Sequence, residues 1–215
     1  MQAYRRLFVL ALACAAAVPL PAVAAAADGV TLLRGWLRET RSGSADFTQQ
    51  VVDAKGAPGA VSRGHFDFAR PGRFRWSYSA PYRQDIVSDG STIWTYDHDL
   101  DQVTLTRASR ALAGTPAALL AGADIDAVFK LAPLPAADGL QWVQATPRDH
   151  DSSFAWVRIG LRDGAQGPEL VRMQLRDAFR RTSDITFTAQ QRNPALPAAT
   201  FRFAIPAGAA VLDQR

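Results

Sequence analysis

His65, His98 and His150 are the side chains best suited to proton transfer or metal binding, and their spacing serves neither. None has a partner at a metal-ligand interval. Asp97, Asp99 and Asp101 alternate as in a calcium loop, but the glycine and closing glutamate of such a loop are missing. A nucleophile elbow, a phosphate loop and a dinucleotide fingerprint are all absent. Each histidine reads as a surface or strand residue, and the three aspartates as a solvated hairpin tip. The expectation is a protein that is not an enzyme, with no metal site and no cofactor.

The remaining chemistry is apolar. Between Gly64 and Arg107, Phe66 and Phe68 alternate with small or polar residues, as do Phe74, Trp76 and Tyr78, then Trp94 and Tyr96. A period of two puts each set on one face of a sheet. Such a face either packs a core or holds something greasy. Arg70 continues the face of Phe66 and Phe68, so its guanidinium points inward and needs acceptors, because burying it unpaired is expensive. Helix C-terminal carbonyls near Ala121 and Gly122 would serve, and so would an aspartate.

These residues need a scaffold. Pro71-Gly72, Asp89-Gly90 and His98-Asp99 break the aromatic stretch into an antiparallel meander. Before it, Val30 to Thr40 reads as an amphipathic helix with Asp28 as N-cap, stopped by Gly43 and Ser44. Ala45 to Asp53 begins the sheet, and Lys55 to Gly59 is a turn. Ala108 to Leu131 has a helical look. Thr115-Pro116 starts one short helix that Gly122 stops, and Asp124 caps another through Phe129. Strand patterns return at Leu140 to Thr146, Phe154 to Leu161, Glu169 to Arg176, Asp184 to Gln190 and Thr200 to Ile205. The predicted class is mainly β with short helices: a single curved antiparallel sheet with a helical plug on its inner face.

The first residues read as a targeting segment. Arg5 and Arg6 precede an apolar run from Leu7 to Val18, and Ala22-Val23-Ala24 fits the small-x-small cleavage rule. A membrane span needs about 20 apolar residues, and Pro19 and Pro21 interrupt this one. The expectation is a Sec signal peptide over residues 1–24, cut near Ala24/Ala25, and one domain over 25–215. Cys14, the single cysteine, lies inside the apolar run and is badly placed for lipidation. Losing Arg5 and Arg6 lowers the net charge from +4 to +2. Lys55 and Lys130 are the only lysines, and no basic stripe interleaved with aromatics stands out, so nucleic acid is not an expected partner.

The runs ADFTQQV, FARPGRFRWSYSAPYRQDIVSDGSTIWTYDHDLDQVT, GTPAALL and RFAIPAGAAVLDQ together resemble the periplasmic outer-membrane lipoprotein carrier (LolA) family, in order and in spacing. The specific part is Arg70-Pro71, Phe74 and Trp76, the strand ending Val87-Ser88-Asp89-Gly90, then Trp94 and Tyr96. The resemblance implies an unclosed β-barrel with an α-helical lid over a hydrophobic cavity. It implies a periplasmic carrier that takes acylated lipoproteins from an inner-membrane ABC transporter and hands them to an outer-membrane receptor. It also implies that Arg70 latches the lid, at positions matching Leu37, Leu120 and Ala121. A sheet this aromatic under short Ala-rich helices should leave volume unfilled. The expected lining is Phe66, Phe68, Phe74, Trp76 and Trp94 from the sheet, with Leu33 and Leu119, joined by Leu37 and Leu120, from the helices. Family members can carry a larger apolar residue where Ala117 sits, which leaves cargo preference open. The protein is expected to be a monomer. Two other readings share the fold: the outer-membrane receptor, which would need a lipidated cysteine, and a specialised carrier for another lipid or polyene-type product.

Overall fold

A computed structural model describes residues 27–111, 116–121, 124–150 and 152–215. The expected signal peptide with its cleavage site, Cys14, the Thr115 cap and the Gly122 stop lie outside the described residues.

Helix α1 runs Gly29–Glu39, with the Asp28 carboxylate accepting from the Thr31 N–H at 2.8 Å. Its buried stripe is Leu32, Leu33 and Trp36, with Gly29 and Gly35 where the backbone touches the sheet. A Cβ on Gly29 would run into the Trp142 carbonyl, so only glycine lets the helix lie this close. The Asn193 side chain closes the other end: its amide donates to the Glu39 carbonyl at 2.9 Å, and its oxygen accepts from the Arg41 N–H at 2.7 Å. That tether lets pairing begin at Ser42, earlier than the Ala45 expected.

Six strands follow: β1 Ser42–Val52, β2 Pro58–Ala69, β3 Arg73–Ala80, β4 Gln84–Asp89, β5 Thr92–Asp97 and β6 Gln102–Arg107. Three short helices come next: α2 Ala108–Ala111, α3 Pro116–Ala121 and α4 Ile125–Val128. Then come β7 Phe129–Ala137, β8 Leu140–Pro147, β9 Phe154–Gly164, β10 Gly167–Asp177, β11 Thr182–Arg192 and β12 Ala210–Asp213. They form a single 12-stranded sheet in the order β12-β6-β5-β4-β3-β2-β1-β11-β10-β9-β8-β7. The sheet does not close. One edge, β7, carries Pro133 and Pro135, residues that blunt further pairing.

Three expectations are corrected. The helical stretch to Leu131 ends at Val128, and Phe129 opens β7 because Lys130 and Leu131 pair with Thr146 and Ala145. Thr200 to Ile205 is not a strand: a 3-10 turn at Ala198–Phe201 leads into a segment crossing the outside of β3 and β4. Its alternation comes from laying Phe201 and Phe203 on the sheet rather than from ladder pairing. The sheet is not wholly antiparallel, since β12 joins β6 in parallel.

One seam is incomplete. β10 and β11 pair only where Arg172 to Arg176 meets Thr182 to Thr186. Beyond that, β10 stays with β9 and β11 stays with β1, so the two strands part.

Candidate functional site

The inner face is built from register. Phe66 stands opposite Trp76, and Phe68 opposite Phe74. The Phe66 and Trp76 rings lie 4.4 Å apart, Phe66 stacks on Phe68 at 5.6 Å, and Phe47 meets Trp76 at 5.0 Å. Glycines make room for the rings: a Cβ on Gly43 would strike the Phe68 ring, and one on Gly64 would meet Phe47. Above the sheet sit Leu33 and Trp36 of α1 and Leu119 and Leu120 of α3, in one continuous apolar cluster with the rings. Trp36 reaches across to Phe68 at 5.7 Å.

The structure therefore brings Leu33, Phe66, Phe68, Phe74, Trp76, Leu119 and Leu120 together, with Leu37 half-buried against them. Trp94 is a correction. Val87 and Leu105 flank it across the ladder on the outer face, and its ring stacks on Phe203 at 6.3 Å. Ile93, in register with Ser88 and hence with Phe74, faces the interior instead. Alternation in β5 was legible in the sequence; which alternate faced inward was not. Phe47 and Phe187 were missed. Their signal was the same alternation, Ala45 with Phe47 and Ile185 with Phe187, on strands remote from the aromatic meander.

Among the described residues of the lid, Leu33, Leu119 and Leu120 are packed against the rings, each 1% exposed. A cavity of about 460 Å³ opens to one side, at the parting of β10 and β11. Trp36, Ala45, Phe66, Phe68, Phe187 and Leu170 give it an apolar floor, and Arg162, Glu169 and Arg192 a polar rim.

Lid and sheet are tied at the β2–β3 turn. The Gly72 N–H donates to the Ala121 carbonyl at the end of α3 at 2.7 Å, and the Ser88 hydroxyl donates to the Gly72 carbonyl at 2.8 Å. Gly72 has φ +69°, which suits glycine. This backbone bond has no signature in side-chain pattern. The Arg70 guanidinium lies over Trp36 at 5.2 Å and over Phe68 at 5.8 Å, wedged between α1 and the sheet. Burial, with Arg41 nearby, lowers its pKa to about 10, so it remains a cation at neutral pH.

Ser44, His65 and Asp46 come together on the outer face of β1 and β2. His65 Nε2 lies 2.9 Å from the Ser44 hydroxyl, and Nδ1 lies 2.7 Å from Asp46. Both strands have a neighbour on either side, and the β1–β11 ladder shifts register between Ser44 and Asp46. Among the described residues, no group of three His, Cys, Asp or Glu could hold a metal ion.

The family model of the outer membrane lipoprotein carrier protein LolA matches residues 38–204. The outer-membrane lipoprotein carrier protein of Leptothrix cholodnii is 47% identical over 191 residues, covering 89% of this chain and 88% of that one. The protein of the same name from Methylibium petroleiphilum is 45% identical over 199 residues, covering 93% and 96%. In fold, the chain is similar to an uncharacterized conserved protein from Thermus thermophilus, with a TM-score of 0.51, 13% identity and coverage of 84% and 95%. On sequence, the chain belongs to the LolA family of outer membrane lipoprotein carrier proteins.

Proposed function

We propose that residues 25–215 are a periplasmic carrier for lipoproteins, freed from a signal peptide by cleavage near Ala24/Ala25. It binds the acyl chains of lipoproteins leaving the inner membrane and delivers them to the outer membrane. The donor is an inner-membrane ABC transporter, the acceptor an outer-membrane receptor, and the carrier works as a monomer without cofactor or covalent chemistry.

The observation that carries this reading is the aromatic inner face under a lid of short helices. Exposing an acyl chain to water costs about 0.8 kcal/mol per CH₂. A sixteen-carbon chain therefore represents about 12 kcal/mol, and unaided desorption would be negligibly slow. The carrier must offer comparable apolar area and still let go. Here that area is already covered by Leu33, Leu119 and Leu120. Cargo must displace them, so the closed lid competes with cargo for the same surface. Any contact that stabilises the closed lid weakens cargo binding by its own free energy. Arg70 is such a contact, together with Leu37, Leu120 and Ala121 of the lid. Arg70→Leu should still load cargo and should release it poorly to the receptor. A transfer assay from loaded carrier to outer-membrane vesicles checks this; release at the wild-type rate contradicts the latch.

A further inference from the structure

A side chain from β11 reaches across the parting of β10 and β11 to the β9–β10 turn. Arg192, the last residue of β11, donates through Nη2 to Glu39 Oε2 at 2.7 Å and through Nε to the Thr40 hydroxyl at 3.2 Å, both at the end of α1. Through Nη1 it donates to the Gln166 carbonyl in the β9–β10 turn. The guanidinium thus joins three elements that the sheet leaves apart at this point. It spans the mouth of the cavity, whose lining includes Thr40, Gln166, Gly167 and Arg192 itself. The turn meets it closely: a Cβ on Gly167 would come within 2.9 Å of Nη1 and 3.0 Å of the Glu39 carboxylate.

The mouth suits an amphiphile. Its floor continues without a break into Phe66, Phe68 and Phe187 of the core. The rim is charged, with Arg162 and Glu169 paired at 2.6 Å. An acyl chain entering between the parted strands meets aromatic rings at once, while an attached peptide stays among polar groups in water. We propose that this parting of β10 and β11 is the portal by which acyl chains enter and leave, and that Arg192 with Glu39 is its gate. The proposal rests on the carrier reading and adds the route and the residue that controls it.

The gate differs in kind from the Arg70 latch. Asn193 anchors the end of α1 to β11 independently of Arg192. The clasp can therefore re-form over loaded cargo, and it sets the rate of exchange rather than the affinity. Its partners suit repeated opening. Glu39 is half exposed, and exposed ion pairs are weak and screened by salt.

The test is stopped-flow uptake and release of a fluorescent synthetic triacylated lipopeptide by the purified mature chain. Glu39→Gln should speed both steps about fivefold, the loss of one ion pair, and Arg192→Gln, which also breaks the bonds to Thr40 and Gln166, by more, each with an equilibrium constant close to wild type. Arg192→Lys should fall between. Salt should accelerate the wild type and leave Glu39→Gln unchanged. If Arg192→Gln fails to fold, Glu39→Gln carries the test, since it keeps the bonds to Thr40 and Gln166. Cys14 is the only native cysteine, so the double variant Glu39→Cys, Gln166→Cys can be joined by a reducible thiol cross-linker. Cross-linked protein should not exchange until reduced. Unchanged rates in both glutamine variants, or normal exchange while cross-linked, overturns the gate. A wild type that binds no lipopeptide overturns the carrier reading and the gate with it.

Discussion

Arg70 shows what a sequence tells about a residue and where it stops. Its inward direction followed from a period of two, and the structure wedges it between Trp36 and Phe68. The bond beside it, from the Gly72 N–H to the Ala121 carbonyl, joins two backbones, and no side-chain pattern announces it. His65 makes a prediction at the same scale. Burial of the ring opposes protonation, but Asp46 and Asp67 outweigh it and raise the pKa above 6.5. Folding therefore favours the protonated ring. That stabilisation is complete below about 6.5 and is lost as pH rises through the folded-state value. The ring is half exposed, so the effect is small. The melting temperature of the wild type should fall relative to His65→Gln between pH 6 and pH 8. Parallel curves contradict the assignment.

At the scale of elements, α1, the aromatic meander and most of the later strands were legible because each satisfies its own period. Failures came where period gives no direction or where tertiary contact decides. Trp94 and Tyr96 alternate correctly but face out, because the C-terminal segment supplies Phe203 as an apolar partner. β7 was hidden in an Ala- and Leu-rich stretch whose strand state depends on pairing with β8. β12 has four residues, too few for a pattern. Gly64 belongs here too. It sits in β2 where a Cβ would collide with the Ser77 carbonyl of β3 and come within 2.7 Å of the Phe47 ring. Gly64→Ala should destabilise the fold by about 1–3 kcal/mol, read as a lower urea midpoint with unchanged slope. An unchanged midpoint would mean that the β2–β3 contact yields freely.

For the whole molecule, the sheet stays open at both ends of its strand order and parts between β10 and β11. An unclosed wall is covered by short helices whose Leu33, Leu119 and Leu120 pack against its aromatic face. The sequence pattern anticipated the aromatic face and a helical plug upon it. Among the described residues a hollow lies at the mouth, and Leu33, Leu119 and Leu120 pack against the rings. In the proposed function, acylated lipoprotein displaces those leucines. The most direct measurement is native mass spectrometry of the mature chain, expressed in the periplasm of a Gram-negative host and purified without detergent. The expected result is carrier plus triacylated lipoprotein, with the added mass discharged on adding outer-membrane vesicles. A protein that comes through empty, or an adduct of another lipid that vesicles do not remove, would contradict it.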